Sequence, residues 1–528
     1  MMNFMKTKRI NISLLMVGAA ALFCACDDYL DKLPDNRAEV DTENKITSLL
    51  TSAYPTQSSS FILEFSSDNV MDNGAVYGNA VNQQEAYRWE DVSTENNDDP
   101  RSLWDAYYYA IASANEALQD IGKLGTPSSL NGQKAEALLC RAYGMFQLAN
   151  VFCMPYNPTT AANDAGLPYP LKPETTVTVQ YERGTMQELY DKINADIEEA
   201  LPLLDDNHYT IPKYHFNTKA AYAFAARFNL YYMKYDKVIE YANHVLGADP
   251  SGVLRDNTQF ISLGYTDYGN AFVKSSDPAN LLLMTAYSLA GRTLCGTTYP
   301  RYKNNREMAS NETFWSKGPW GSGSTNNVLY YSHMLYGSNQ CIYVPKQIEF
   351  FEYKDKTGGT GYAHIVSAAF TTDETLMCRA EAYALKKDYT NAIKDLNYWQ
   401  TSHCYATYGK AVRTDMTLES INTFMNGLAY AKDTVLTAKD RSIKKNLHPQ
   451  GFTVEKGDQE NVIQMILQCR RLETMFTGMR WADVKRYGIP VSHNIDGQSP
   501  LILKPGDLRY ALQLPNDVIT AGLAANPR

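Results

Sequence analysis

Residues 470–488 read Arg470-Arg471-Leu472-Glu473-Thr474-Met475-Phe476-Thr477-Gly478-Met479-Arg480-Trp481-Ala482-Asp483-Val484-Lys485-Arg486-Tyr487-Gly488. Guanidinium and carboxylate groups alternate along a helical stretch. Gly478 interrupts it, and a second helix opens with Arg480-Trp481. Two acids, Glu473 and Asp483, stand against five bases, Arg470, Arg471, Arg480, Lys485 and Arg486. Some of these bases need partners elsewhere in the fold, or water. The preferred reading is a structural ion-pair and stacking network that locks the C-terminal helices to a helical core.

Upstream, three stretches carry small and large apolar residues at helical spacing: Gln133 to Phe152, Thr218 to Leu246 and Asp373 to Trp399. The last two run through short turns, Lys234-Tyr235-Asp236 and Lys387-Asp388-Tyr389, into a second helix. Ala380, Tyr383 and Ala392 fall where a tetratricopeptide unit wants small, large and small residues. In the earlier unit Ala226 takes the first such position, but Asn229 and Val238 replace the other two. The units are not tandem, so long insertions separate the helix pairs. Two further helices are expected over Trp104 to Ile121 and Thr185 to Leu204, each with one apolar face. Pro155 to Tyr181 and Leu254 to Tyr343 read as irregular, and long ordered loops of this kind usually carry function.

The chain opens with Lys6, Lys8 and Arg9, then a mostly apolar run from Ile10 to Leu22. That run is too short for a permanent membrane span and suits a signal-peptide core. It ends in Leu22-Phe23-Cys24-Ala25-Cys26, which looks like a lipobox. Cleavage would leave an acylated Cys26, and each buried methylene adds roughly 0.8 kcal/mol of anchoring. Removing 1–25 takes away three basic residues and leaves 46 Lys+Arg against 58 Asp+Glu, a net charge of −12. Such a chain does not attract nucleic-acid phosphates. With 38 Tyr and 18 Phe, it favours surfaces that are half apolar and half hydrogen-bonding. Seven cysteines remain after Cys24 and Cys26. No CxxC or Cys/His metal spacing occurs. Cys140, Cys378 and Cys469 lie in helical patterns and read as small buried hydrophobes.

The 470–488 run resembles the SusD/RagB family signature, of the type Arg-Arg-x-Glu-Leu-x-x-Glu-Gly-x-Arg-Trp-x-Asp-Leu-x-Arg-Trp-Gly. It matches at Arg470, Arg471, Glu473, Gly478, Arg480, Trp481, Asp483, Arg486 and Gly488, and departs at Thr474 and Thr477. Further similarities follow in order. They are Cys26 to Pro34, the Trp104 helix with Asn115, Arg141-Ala142-Tyr143, Gly166-Leu167-Pro168, Arg183, Asp196 to Ala200, and a closing strand-like Leu508 to Pro515. The resemblance implies a mostly α fold of SusD type. Tetratricopeptide-type helix pairs would form the scaffold, and long irregular insertions would carry the ligand face. Residues 1–25 would be a lipoprotein signal peptide and 26–528 a single domain. Within it the helical scaffold lies mainly at 104–246 and 371–402, the loop-rich ligand region at 254–343 and the signature at 470–488. The resemblance also implies a lipid-anchored Bacteroidetes outer-membrane protein facing the cell exterior. It would capture oligosaccharide and pass it to a SusC-like TonB-dependent transporter. Asp27, Asp28 and Asp31 resemble the acidic tag of surface-exposed lipoproteins.

Sugar rings stack an apolar face on aromatics, while their hydroxyls need polar partners. Two regions hold that mixture, one around Asp68 to Trp89 and one around Tyr299 to Tyr331. The candidate ligand residues are Asn73, Tyr77, Trp89, Tyr299, Arg301, Trp315, Trp320 and Tyr330. Trp315 and Trp320, in a Gly/Ser-rich context, lead as stacking platforms, and Trp320→Ala is expected to weaken glycan binding without unfolding. The Asp/Asn run Asp68 to Asn73 reads either as a weak calcium site or as turns. Oligopeptide capture is the alternative within the same uptake system. A glycoside hydrolase or a protein-binding scaffold is the alternative of another class. No HExxH, GxSxG or phosphate-binding glycine loop occurs, so neither enzymatic activity nor a cofactor is expected.

Overall fold

The computed structural model describes residues 42–174, 179–320, 329–330, 335–408 and 411–528. The expected leader, Cys26 and Tyr331 lie outside these. Among the described residues no helix is long and apolar enough to cross a membrane.

The expected helices form, with bounds set by local chemistry. Asp99 precedes a helix that begins at Pro100 and runs to Lys123, since proline's missing N–H costs nothing in a first turn. Asn131–Phe152 packs against it and is buried almost all round. Met186–Ala200 starts at a capping box, in which the Thr185 hydroxyl accepts the Glu188 N–H and the Glu188 carboxylate accepts the Thr185 N–H. The 218–246 stretch breaks into Thr218–Tyr231 and Tyr235–Leu246 around Met233, whose φ is 62°. The 372–403 stretch breaks likewise into Thr372–Leu385 and Tyr389–His403 around Lys387, at φ 65°. Each pair packs against itself, and the Tyr235–Leu246 helix packs on the Thr372–Leu385 helix. Asp458–Glu473 then lies across both members of the later pair.

The structure corrects two expectations. Leu254 to Tyr343 is not wholly irregular: Asn280–Ala286 is a strand, buried at every position but Thr285. It pairs antiparallel with Thr360–Thr371, which pairs in turn with Glu349–Asp355. Its continuous Leu281-Leu282-Leu283-Met284 run is the mark of a strand buried on both faces. Leu508 to Pro515 is no strand. A short helical turn, Leu508–Tyr510, starts there because the Asp507 carboxylate accepts the Arg509 N–H.

All seven cysteines among the described residues are buried, including Cys140, Cys378 and Cys469.

Candidate functional site

The Arg470–Gly488 segment is a hub that ties residues 64–69 and the Thr372–Leu385 helix together. Arg470 lies in a two-hydrogen-bond fork with Asp483 (3.0 and 2.7 Å) and also meets Glu381. Arg486 and the Tyr487 hydroxyl share the same Glu381 carboxylate at 2.7 and 2.6 Å. Arg480 forks onto Asp68 at 2.7 and 3.0 Å. Arg471 donates to Asn69 (2.8 Å) and to Glu312 (3.1 Å). Lys445 and Arg441 complete the Glu312 shell at 2.6 and 3.0 Å. The surrounding cations hold Glu312 and Glu381 down to about 2 despite burial. Gly478 sits at φ 78°, and its N–H and that of Phe476 both donate to Glu64 at 2.9 Å. Every base of the segment finds a protein partner, Lys485 through the carbonyls of Asn150 and Cys153, both at 2.8 Å. The network is therefore structural, as its charge pattern suggests.

Beside this hub, four loops converge on an aromatic and polar face. Met71–Asp72 pairs antiparallel with Tyr302–Lys303. The Asp72 carboxylate accepts both fork hydrogens of Arg301 (2.8 and 2.7 Å) and the N–H groups of Gly74 (2.9 Å) and Asp496 (3.0 Å). One side chain thus ties three loops. Asn73 clips the same junction, its amide donating to the carbonyls of Arg301 (3.0 Å) and Lys303 (3.2 Å). On this frame Tyr77, Tyr299 and Tyr336 form a cluster. Ring centroids lie 6.3 Å apart for Tyr77–Tyr299 and 6.0 Å for Tyr299–Tyr336. Tyr299 is 49% and Tyr336 44% exposed. Gly337, at φ 77°, lies against the Tyr299 side chain where any Cβ would collide. The Tyr77 hydroxyl meets that of Ser338 at 3.1 Å, and Asn339 donates to the carbonyls of Tyr299 and Pro300.

Of the eight candidates, the structure brings Asn73, Tyr77, Tyr299 and Arg301 together. Asn73 is a clip whose amide hydrogens are already engaged. Trp89 is 7% exposed, with its indole N–H on Ser66 O (2.9 Å) and its ring on His493. Trp320 is 3% exposed and packs on Trp399 with centroids 5.6 Å apart. Trp315 is buried as well. These three indoles belong to the interior, which corrects the ligand contact expected of Trp89 and the stacking role expected of Trp315 and Trp320. Tyr330 packs against Tyr405, tilted, with centroids 4.3 Å apart, and donates its N–H to His403 O. Tyr336 was missed by the sequence reading. Its signal was the run Tyr336-Gly337-Ser338-Asn339, aromatic and hydroxyl-rich like the chosen loops.

Asp68 and Asp72 do not form a cation site, because Arg480 and Arg301 already supply their positive charge. Asp373, His403 and Glu473 bring ligand-type atoms within 4.8 Å of one another, all buried. His403 Nε2 meets Glu473 at 2.7 Å, the Arg255 N–H meets Asp373 at 3.1 Å, and the Lys346 ammonium attracts Glu473. This is a network closed by protein hydrogens. Deeper in the fold, a cavity of about 90 Å³ is lined by Tyr107, Tyr143, Gln147, Arg227 and Glu374. Arg227 and Glu374 pair with each other there at 2.9 Å, and a space of that size lined by several polar groups suits water.

A family model described as "Starch-binding associating with outer membrane", of SusD-like type, matches residues 28–230. Solved structures are similar over nearly their whole length. A putative sugar binding protein from Bacteroides vulgatus aligns at 18% identity and a TM-score of 0.64, covering 93% of this chain and 99% of its own. A SusD superfamily protein from Bacteroides thetaiotaomicron aligns at 18% identity and a TM-score of 0.60, covering 92% and 98%. A SusD-like carbohydrate binding protein from Bacteroides vulgatus aligns at 14% identity and 0.60, covering 90% and 96%. At these identities the likeness is one of fold. No curated protein matches significantly in sequence.

Proposed function

We propose that this chain is a surface lipoprotein of the SusD-like superfamily that captures oligosaccharide at the Tyr77–Tyr299–Tyr336 face. The observation that carries this reading is a set of half-exposed tyrosines on a frame already rigid through Asp72 and Arg301. Exposed aromatic rings offer the flat apolar surface that a pyranose C–H face needs. Phenol, amide and serine hydroxyl groups alongside offer partners for sugar hydroxyls. A frame held by charge-assisted hydrogen bonds lowers the ordering cost of binding. The family model's description and the relatives described as sugar- or carbohydrate-binding support the same ligand class.

In this reading Cys26 carries the lipid anchor in the outer membrane and the domain faces outward. Captured glycan passes to a SusC-like TonB-dependent transporter. The 218–246 and 372–403 helix pairs serve as a tetratricopeptide-type scaffold that keeps the loop face fixed.

The test is calorimetry of the chain lacking 1–26 against a panel of oligosaccharides, with oligopeptides as a second panel. For a ligand bound by the wild type, Tyr299→Ala is expected to weaken binding by about tenfold, or about 1.4 kcal/mol. Equal affinity of the variant and wild type would remove this face from the site. Binding of peptides alone would replace the ligand class.

A further inference from the structure

The tyrosine face rests on a column of stacked, buried side chains. Trp89 lies on His493 with centroids 4.3 Å apart and planes 11° from parallel. His493 lies on Tyr87 at 4.0 Å and 3°. Tyr87 lies on Tyr302 at 4.4 Å and 24°. The Arg301 guanidinium sits 5.2 Å from the Tyr302 ring centroid. The column's far end is pinned by the Trp89 indole N–H on Ser66 O, and both His493 nitrogens lie within 2.9 Å of carbonyl oxygens, of Tyr87 and Ser67. Its middle is pinned by the Tyr87 hydroxyl, which donates to Asn494 O (2.9 Å) and accepts the Asp72 N–H (3.0 Å).

The outer end is what matters for the ligand face. Tyr302 is the strand partner of Asp72, and Asp72 holds the Arg301 fork. Tyr299 stands three residues before Tyr302 on the same loop. The thickness of the column therefore sets how far out this edge of the face stands. Tyr302 is fully buried, and its hydroxyl finds no hydrogen-bond partner among the described residues. The ring supports the loop without help from the hydroxyl.

We propose that Tyr302 and His493 are positioning residues of the glycan face. They touch no ligand but fix the placement of Tyr299 and Arg301, so oligosaccharide affinity depends on the column. This rests on the reading that the tyrosine face binds glycan.

The experiment is a calorimetric comparison of wild type, Tyr302→Phe, Tyr302→Met, His493→Gln and Tyr299→Ala, each measured well below its own melting temperature. Tyr302→Met keeps an extended apolar side chain and removes the ring; its expected effect is a weakening on the order of tenfold, since small misplacements of binding groups are costly. His493→Gln removes the ring between Tyr87 and Trp89 and is expected to weaken binding in the same direction. Tyr302→Phe is expected to restore affinity to within about twofold. In the Tyr299→Ala background, Tyr302→Met is expected to cost less than in the wild type, because part of its effect runs through Tyr299. Wild-type affinity in folded Tyr302→Met and His493→Gln would overturn the proposal, as would failure of both to fold. Wild-type affinity in Tyr299→Ala would instead overturn the site itself.

Discussion

Asp68→Asn isolates the electrostatic hub with almost no change of volume. Asp68 is buried and holds Arg480 in a fork at 2.7 and 3.0 Å, with Arg471 and Lys445 each 3.6 Å away. Those three cations hold its carboxyl well below the usual range, against the opposing effect of burial. After the substitution, Glu312 is the buried carboxylate left to serve Arg471, Lys445 and Arg441, and Arg480 loses its fork. Removing one partner of a buried pair costs about 3–5 kcal/mol, because the other charge stays buried without compensation. Unfolding entropy of about 2.1 cal/mol/K per residue over roughly 490 residues is about 1 kcal/mol/K, so the melting temperature should fall by about 3–5 °C. Differential scanning calorimetry reads this directly. Asp236→Asn is the control, since its pair with Lys386 is largely exposed and should be worth less than about 1 kcal/mol. If Asp68→Asn melts within 1 °C of wild type, or no lower than the control, the hub does not stabilise the fold as argued.

Trp320→Ala should now lower stability by about 3–5 kcal/mol, the cost of emptying a buried indole site, and leave glycan affinity unchanged in the folded fraction. Urea titration with parallel calorimetry checks both, and weakened binding at full stability would return Trp320 to the ligand face. Acid dependence should carry two opposite signatures. Glu312 is held at about 2 against an ordinary 4.5, so its contribution is complete above pH 4.5. About 3 kcal/mol is then lost as pH falls toward 2, and Glu312→Gln should flatten that slope. Burial raises Glu64 to about 7, so the folded state binds the extra proton between pH 4.5 and 7. Stability therefore falls by about 3 kcal/mol as pH rises through that window. Urea midpoints of Glu64→Gln across pH 4–8 should lack this decline; an unchanged profile would assign it to another group.

The helices were legible because apolar spacing is a local property, as were the charges of 470–488. Their partners were not. Asp68, Glu312, Glu381 and Lys445 look like ordinary polar residues until the fold brings them against the signature. The strand Asn280–Ala286 was hidden among glycines and asparagines, although its apolar run was there to read. The tryptophans misled for a physical reason. Gly318 beside Trp320 suggested a loose loop, yet a Cβ there would collide with the indole. That glycine is what lets the ring fold inward. Trp89 follows a helix at φ 54°, a conformation that turns it back into the core. Tyr77, Tyr299 and Arg301 were found because the mixture of aromatic and polar loop residues is itself a local signal. Tyr336 was equally visible and was passed over.

The link between Asp68 and Arg480 spans 412 positions. A ribosome adding about 5–20 residues per second needs roughly 20–80 s to cover that interval. Throughout it, the buried carboxylates Glu64 and Asp68 lack the partners that the signature gives them. Closing so distant a contact is slow even once both ends exist. The final helices thus act as a latch on the earliest ones. Until the two segments meet, these buried charges stay uncompensated, so the fold is committed only once its most distant contact closes.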